Sequence, residues 1–230
     1  MVKAYLDPDE IKQLEDAATN LRDKLLIRTL SHFGCRISED LGIEVDNIDF
    51  SQGTVTIQHL KVRIKLSCPE CGASLGKRHV YCPGCGKQVK HPTTSEGEYR
   101  RQRILAIDKV TLDLLKEFIG RGGPVLKNGK RLIFGINRHR AWQIVTECAK
   151  RAGLPKLINP ETGRVHNPSP HRLRDAFAVK AVKTNDSGDG LRLLQEHLGH
   201  QSFNTTAKYR KVAGEEHRVW YDKLWSKAEK

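Results

Sequence analysis

Residues 169–211 open on Ser169-Pro170-His171-Arg172-Leu173-Arg174-Asp175-Ala176-Phe177-Ala178, run through Leu194-Gln195-Glu196-His197-Leu198-Gly199-His200, and close on Thr205-Thr206-Ala207-Lys208-Tyr209-Arg210-Lys211. Their reading decides the fold. Ser169 is a cap residue and Pro170 suits a first helical turn, so the spacing predicts a helix start with His171 and Arg174 on one face. His200 and Tyr209 follow after two more short helices. Two imidazoles, a guanidinium and a phenol brought to one point suit a phosphate. Arginine grips the non-bridging oxygens in a fork, histidine adds a hydrogen bond, and tyrosine supplies a nucleophile.

Upstream, Gly34-Cys35-Arg36-Ile37-Ser38-Glu39 places another arginine at the start of a short helix. Taken in order, these fragments resemble the tyrosine recombinase (phage integrase) family, whose pattern is G-x-R-x-S-E, a lysine on a β-hairpin, H-x-L-R, L-G-H and T-T-x-x-Y. The resemblance covers the chain except residues near 66–92. It implies an α+β, mainly helical fold, a tyrosine-recombinase catalytic domain with a small β-sheet. It also implies that Tyr209 attacks a DNA phosphorus to give a 3′-phosphotyrosyl bond while Arg36 and Arg174 clamp the phosphate. His171 and His200 then hydrogen-bond the same phosphate, His171 serving as base for the phenol, and a hairpin lysine protonates the 5′ oxygen. That chemistry is metal-independent and needs no nucleotide cofactor. It makes the chain an enzyme of DNA integration, a site-specific recombinase.

Composition agrees with such a substrate. Forty Lys+Arg against 27 Asp+Glu in 230 residues leave a formal charge of +13, which points to a polyanion, most simply double-stranded DNA. No apolar run approaches 18 residues and no signal peptide opens the chain, so no membrane partner is expected and the location is cytoplasmic, in a prokaryotic nucleoid when bound to DNA. Of six cysteines, four form two knuckles, Cys68-Pro69-Glu70-Cys71 and Cys82-Pro83-Gly84-Cys85. Two C-x-x-C pairs ten residues apart present four thiolates to one tetrahedral zinc, a structural ion with no position left for water. Cys35 and Cys148 read as core fillers.

Along the chain, Asp7-Pro8-Asp9-Glu10 is a cap, a first-turn proline and a capping-box glutamate, after which Ile11, Leu14, Ala18 and Leu21 share a helical face. A second buried helix runs from Arg22 to Phe33, stopped by Gly34. So few residues precede these helices that a catalytic domain spanning 1–230 is expected without an N-terminal core-binding domain. In 53–66 the apolar phase is odd at Val55 and Ile57 and even at Leu60, Val62, Ile64 and Leu66, which predicts a bulge or turn near Gln58-His59. The return strand is Tyr99–Ile107, so residues 66–92 read as a zinc ribbon inserted into the tip of the β-hairpin that bears the family's lysine. Lys61 is the first candidate for that lysine and Lys65 the second.

Asp108 caps a further helix to Phe118-Ile119, and Arg121–Lys130 reads as a glycine- and cation-rich loop. Gly129-Lys130, followed by Arg131, lacks the rest of a phosphate-cradling P-loop. Asn137 caps a helix with Ala141, Ile144, Val145, Cys148 and Ala152 inward and Arg138, His139 and Arg140 at a basic end. Asp175 departs from the family, which often has a basic residue there, and its place one helical turn from His171 is expected to affect that ring's tautomer. After Tyr209, Glu215–Lys227 carries an aromatic stripe (Trp220, Leu224; Tyr221, Trp225) suited to packing on its own chain or joining a homo-oligomer on DNA. Two other readings share most of these residues: a DNA-binding protein that keeps the fold without the reaction, and a type IB topoisomerase-like relaxing enzyme.

Overall fold

The computed structural model describes residues 3–76, 78–159, 162–210 and 223–224, with the backbone alone for 59–65 and 96–101. It divides into two compact units, Met1–Ile57 with Arg103–Lys230, and Gln58–Gln102. In chain order the elements are α1 (Pro8–Asp16), α2 (Leu21–Phe33), α3 (Ile37–Asp40), β1 (Ile48–Asp49), β2 (Thr54–Ser67), β3 (Ser74–Leu75) and β4 (Thr93–Ala106). There follow α4 (Lys109–Gly120), β5 (Val125–Lys127), β6 (Lys130–Leu132), α5 (Arg138–Arg151), β7 (Leu157–Ile158), β8 (Val165–His166), α6 (Pro170–Thr184), α7 (Gly188–Leu198) and α8 (Phe203–Ala207). Tyr209 sits on a closing 3₁₀ turn, Lys208–Arg210.

The larger unit is organised on α2. Its Leu25, Leu26, Ile27 and Leu30 are wholly buried and Phe33 nearly so, and a helix apolar around most of its girth must be enclosed. Helices α1, α4, α5 and α6 all pack on it. Truncating one of these leucines to alanine costs roughly 2–5 kcal/mol by lost burial plus cavity. A second cluster, Ala178, Val182, Leu191, Leu194 and Leu198, joins α6 to α7, with Tyr209 packed at its edge. Helix α6 therefore serves two cores and carries its polar residues between them.

Helix boundaries follow their caps. Asp7 forms the capping box with Glu10, but α1 stops at Asp16, short of Ala18 and Leu21. The physical reason is Asn20, whose side chain accepts from the Asp23 N–H and starts α2. Gly34 ends α2 in the left-handed region at φ +56°, and a Cβ there would fall on the Phe177 ring. Only glycine permits that turn, which delivers Arg36.

Of the bulge or turn expected near Gln58-His59, a turn is ruled out, since β2 runs unbroken from Thr54 to Ser67. The two ends of the strand serve different cores. Val55 and Ile57 are buried in the larger unit's cluster, whereas Leu66 packs on Cys68, Leu75 and Cys82 in the smaller one. β2 pairs antiparallel with β1 and β3, and β4 also pairs with β2. The loop reading of Arg121–Lys130 also needs correction. β5 and β6 form a two-residue hairpin closed by Asn128 (φ 51°) and Gly129 (φ 75°), and an Asn-Gly pair is the usual signal for such a turn. Most of Glu215–Lys227 lies outside the described residues. Among those described, no helix is long and apolar enough to cross a membrane.

Candidate functional site

Arg174 is the centre of the site. One turn into α6 and 3% exposed, it donates from Nη1 to the Gly34 carbonyl (2.8 Å) and from Nη2 to the Leu198 carbonyl (2.9 Å). Both acceptors are carbonyls at helix C-termini, which carry partial negative charge and leave orphan lone pairs for a cation. Burial, then the neighbouring Arg36, lowers the Arg174 pKa. The guanidinium remains charged at any ordinary pH because arginine starts so high.

His200 follows Gly199, the left-handed C-cap of α7. A Cβ on Gly199 would collide with the Arg103 guanidinium, so the L-G-H motif needs glycine for its backbone and for its neighbour. His200 is 9% exposed, and Arg174 Nη2 lies 3.0 Å from its Nε2. A guanidinium can only donate, so Nε2 accepts and the ring proton resides on Nδ1, which donates to Thr206 Oγ1 at 2.9 Å. Burial, reinforced by Arg174, Arg36 and Arg103, pushes this imidazole down to about 4. His200 is thus neutral near pH 7.

Arg36 is the N-cap residue of α3, and its Nη1 donates to Glu39 Oε1 at 3.0 Å. Glu39 Oε2 accepts from the Arg36 backbone N–H and from Arg103 Nη2, both at 2.9 Å. Burial would raise the Glu39 carboxyl, but the Arg36 N–H and the Arg103 charge outweigh it and hold the group below its usual range. Arg103 Nη1 also donates to the Leu198 carbonyl at 3.2 Å. A half-buried arginine on β4 thereby fixes the carboxylate that orients Arg36. Arg103 lies in the return strand Tyr99–Ile107, and the sequence signal for its role is the acidic residue of the S-E pair.

Tyr209 stacks on His200 with ring centroids 6.3 Å apart, and its hydroxyl donates to Asp175 Oδ1 at 3.0 Å. Burial, then the charge of Asp175 and that hydrogen bond, push the phenol well above its ordinary value. Asp175 Oδ2 accepts from Arg172 Nη1 at 2.9 Å, and His171 Nε2 lies 3.8 Å from Oδ1. His171 is the most exposed of the set, with 69% of its side chain accessible. Arg36, His171, Arg174, Asp175, His200 and Tyr209 line one cavity of about 820 Å³, joined at its wall by Arg138 and Lys208. Lys61 and Lys65 lie in β2, and their side chains are outside the described residues.

Cys68, Cys71, Cys82 and Cys85 come together in the smaller unit, their sulfurs all within 4.8 Å of one another. Two loops repeat one local design. The Cys68 N–H donates to the Ala73 carbonyl and the Gly72 N–H to the Cys68 carbonyl, just as Cys82 donates to Lys87 and Gly86 to Cys82, each at 2.9 Å. Gly72 and Gly86 supply the left-handed residue each loop needs. The sulfurs lie close enough to bind a metal ion. Cys35 and Cys148 are buried, as core fillers should be.

Residues 4–70 and 74–216 match the model of the phage integrase family. Tyrosine recombinase XerD of Neisseria meningitidis serogroup B is 32% identical over 205 residues, spanning 89% of this chain and 54% of that protein. XerD of Corynebacterium glutamicum is 28% identical over 215 residues, at the same coverages. The chain thus spans about half the length of these curated relatives. In backbone it resembles the crystal structure of XerA recombinase (TM-score 0.63, 18% identity, 100% of this chain and 65% of that one). It also resembles XerH recombinase in a pre-cleavage complex with its difH substrate (TM-score 0.59, 22% identity, 95% and 53%).

Proposed function

Because the chain belongs to the phage integrase family, we propose that it is a site-specific recombinase that cuts and rejoins double-stranded DNA through a phosphotyrosyl link on Tyr209. The observation that carries this reading is the single cavity lined by Arg36, His171, Arg174, His200 and Tyr209. Breaking a phosphodiester requires an in-line nucleophile, neutralisation of charge on the phosphate oxygens, and a proton for the leaving alkoxide. Tyr209 is the nucleophile, and its attack leaves DNA attached through a 3′ phosphate. Arg36 and Arg174 face the non-bridging oxygens from two elements, each already aligned by Glu39 or by backbone carbonyls. Little reorganisation is left for the moment of reaction, which is where preorganised charge gains its advantage.

His200 supports Arg174 by accepting a hydrogen bond from it, and His171 reaches the cavity from the exposed side. Lys61, or Lys65 in its place, is assigned to protonate the 5′ oxygen. The covalent link conserves the energy of the phosphodiester, so religation needs no nucleotide. Residues 1–230 then form an integrase-type catalytic domain, acting in the cytoplasm on DNA drawn by its +13 charge, with 66–92 as an inserted zinc ribbon. Zinc fits the four sulfurs, because Zn–S bonds of about 2.3 Å place thiolates roughly 3.8 Å apart. Cys68–Cys85 and Cys71–Cys82 stand at 3.8 and 3.5 Å. Four protein ligands leave no open position, so the ion is structural. The aromatic segment 215–227 is assigned to assembly with further copies on DNA.

A nicked suicide duplex tests the reaction. The short fragment beyond the cut diffuses away, so protein stays attached to the 3′ end and the adduct survives denaturing electrophoresis. Tyr209→Phe removes only the nucleophilic oxygen and should reduce the adduct below detection while leaving DNA affinity within about twofold. A pool of random nicked duplexes serves where the target sequence is unknown. Folded, zinc-loaded protein that forms no adduct on any of them would refute the reading, and an adduct persisting in Tyr209→Phe would refute the choice of tyrosine.

A further inference from the structure

The phenol of Tyr209 must lose a proton as it bonds to phosphorus, and the structure points to where that proton goes. Among the described residues, the group that accepts the hydroxyl's hydrogen bond is the Asp175 carboxylate, at 3.0 Å. Neither imidazole is placed for this task. His200 has its Nε2 lone pair occupied by Arg174 and its Nδ1–H directed at Thr206. His171 approaches Asp175 Oδ1 at 3.8 Å from a largely solvent-exposed position. Asp175 itself is 5% exposed, and its other oxygen is pinned by Arg172 at 2.9 Å. The carboxylate thus has one oxygen held by a cation and one aimed at the nucleophile.

Resting on the recombinase reading, we propose that Asp175 is a catalytic residue of this chain, the proton acceptor for Tyr209. In the forward step the Tyr209 oxygen forms a bond to phosphorus, the P–O5′ bond breaks, and the phenolic proton passes to Asp175 Oδ1. The departing 5′ oxygen takes a proton from a separate donor, a hairpin lysine or water. In the reverse step the attacking 5′ hydroxyl restores that proton and Asp175 returns its own to the tyrosine. A carboxylate is a weak base beside a free phenol, but a phenol oxygen that is bonding to phosphorus becomes strongly acidic. Transfer late in that bond's formation is therefore downhill.

Asp175→Asn separates proton transfer from positioning, since an amide oxygen still accepts the hydroxyl's hydrogen bond but takes no proton. Adduct formation on the nicked suicide duplex should slow by about 100-fold or more in this variant. DNA affinity at matched salt should stay equal or rise, because a negative charge leaves the cavity. A second measurement needs no DNA. The ultraviolet titration of Tyr209, isolated as the difference between wild type and Tyr209→Phe, should move down by about one pH unit or more in an Asp175→Asn background. Adduct formation by Asp175→Asn within threefold of wild type would overturn the proposal. So would an unshifted titration, because the contact would then be absent in solution. Failure of the recombinase reading looks different. There the wild type itself yields no adduct, and this assignment falls with it whatever the variant does.

Discussion

The cavity around Arg174 gathers three guanidinium groups, and the cysteine cluster between β2 and β4 gathers four sulfurs that would repel one another as the thiolates a zinc ion requires. In the cavity, Arg36, Arg103 and Arg174 are held by Glu39 and by the carbonyls of Gly34 and Leu198, which belong to elements already fixed by a large apolar core. The cysteine unit has a buried cluster of only Cys68, Leu75 and Cys82, with Leu66, Ala73 and Val89 against it. Two of its three buried members are thiols. A scaffold thus restrains the charges in one region, whereas on the zinc reading an ion would have to do so in the other. The first should tolerate loss of its ligand and the second should not.

The sharpest way to break this contrast is to remove the metal. Structural zinc contributes on the order of 10–16 kcal/mol in small cysteine-rich folds, far more than three buried side chains return at about 1.5–3 kcal/mol each. Chelation of the whole chain should therefore abolish hydrogen-exchange protection across 68–92 while protection in α2 and α6 persists. Metal content should fall from one zinc per chain to none in the same step. Retained protection in 68–92 after complete removal would show that the apolar cluster suffices and the contrast is false.

Next in size is a change in the cavity. Arg174→Lys keeps the charge but cannot reach the Gly34 and Leu198 carbonyls and His200 at once. On the recombinase reading the adduct rate should drop by roughly 100- to 1,000-fold, about 3–4 kcal/mol of transition-state stabilisation. Zinc content should be unaffected. A loss of the metal in Arg174→Lys would mean that the two regions are not independently built.

Much of this was legible in the residues. The cap at Asp7, the glycine stop at Gly34, the four-cysteine cluster and the return of Arg36, His171, Arg174, His200 and Tyr209 to one cavity all follow from local rules or motif order. What escaped depends on distances the sequence does not express. Arg103 is one cation among several on β4 until the fold brings it against Glu39, 64 residues away in sequence. Asp175 reads as a neighbour of His171 by helical spacing, and only the return of the chain 34 residues later shows it holding Tyr209. The alternation in β2 is a local signal, whereas the two cores that Val55 and Ile57 at one end and Leu66 at the other serve are not. The Asn128-Gly129 turn is different, because its signal was present and a loop composition was allowed to outweigh it.

The smallest predicted effect concerns a buried carboxyl that neither device restrains. Asp40, at the end of α3, is fully buried, and its described partners are Thr29 Oγ1 at 3.0 Å and Cys35 Sγ at 3.6 Å. Thr29 has one hydroxyl proton, for which Asp40 Oδ2 competes with the Leu25 carbonyl at 2.9 Å. Full burial with only these two weak donors favours the neutral carboxylic acid. Burial, against the hydrogen bonds from Thr29 and Cys35, raises its pKa from 3.8 to about 8. A carboxyl raised in this way gives stability that is fully present below pH 3.8 and lost progressively as pH rises towards 8, because the unfolded chain releases a proton that the folded chain keeps. Asp40→Asn places an amide N–H₂ where the acid O–H stood and has no proton to lose. The variant should match wild type within about 0.5 kcal/mol near pH 4 and exceed it by roughly 2–4 kcal/mol at pH 8. For a chain of this size that difference raises Tm by about 5–15 °C. Thermal melts of both proteins at the two pH values check it. A variant less stable than wild type at pH 8 would mean that Asp40 is ionised in the fold and held by a partner, which would bring it under the same scaffold rule as Glu39.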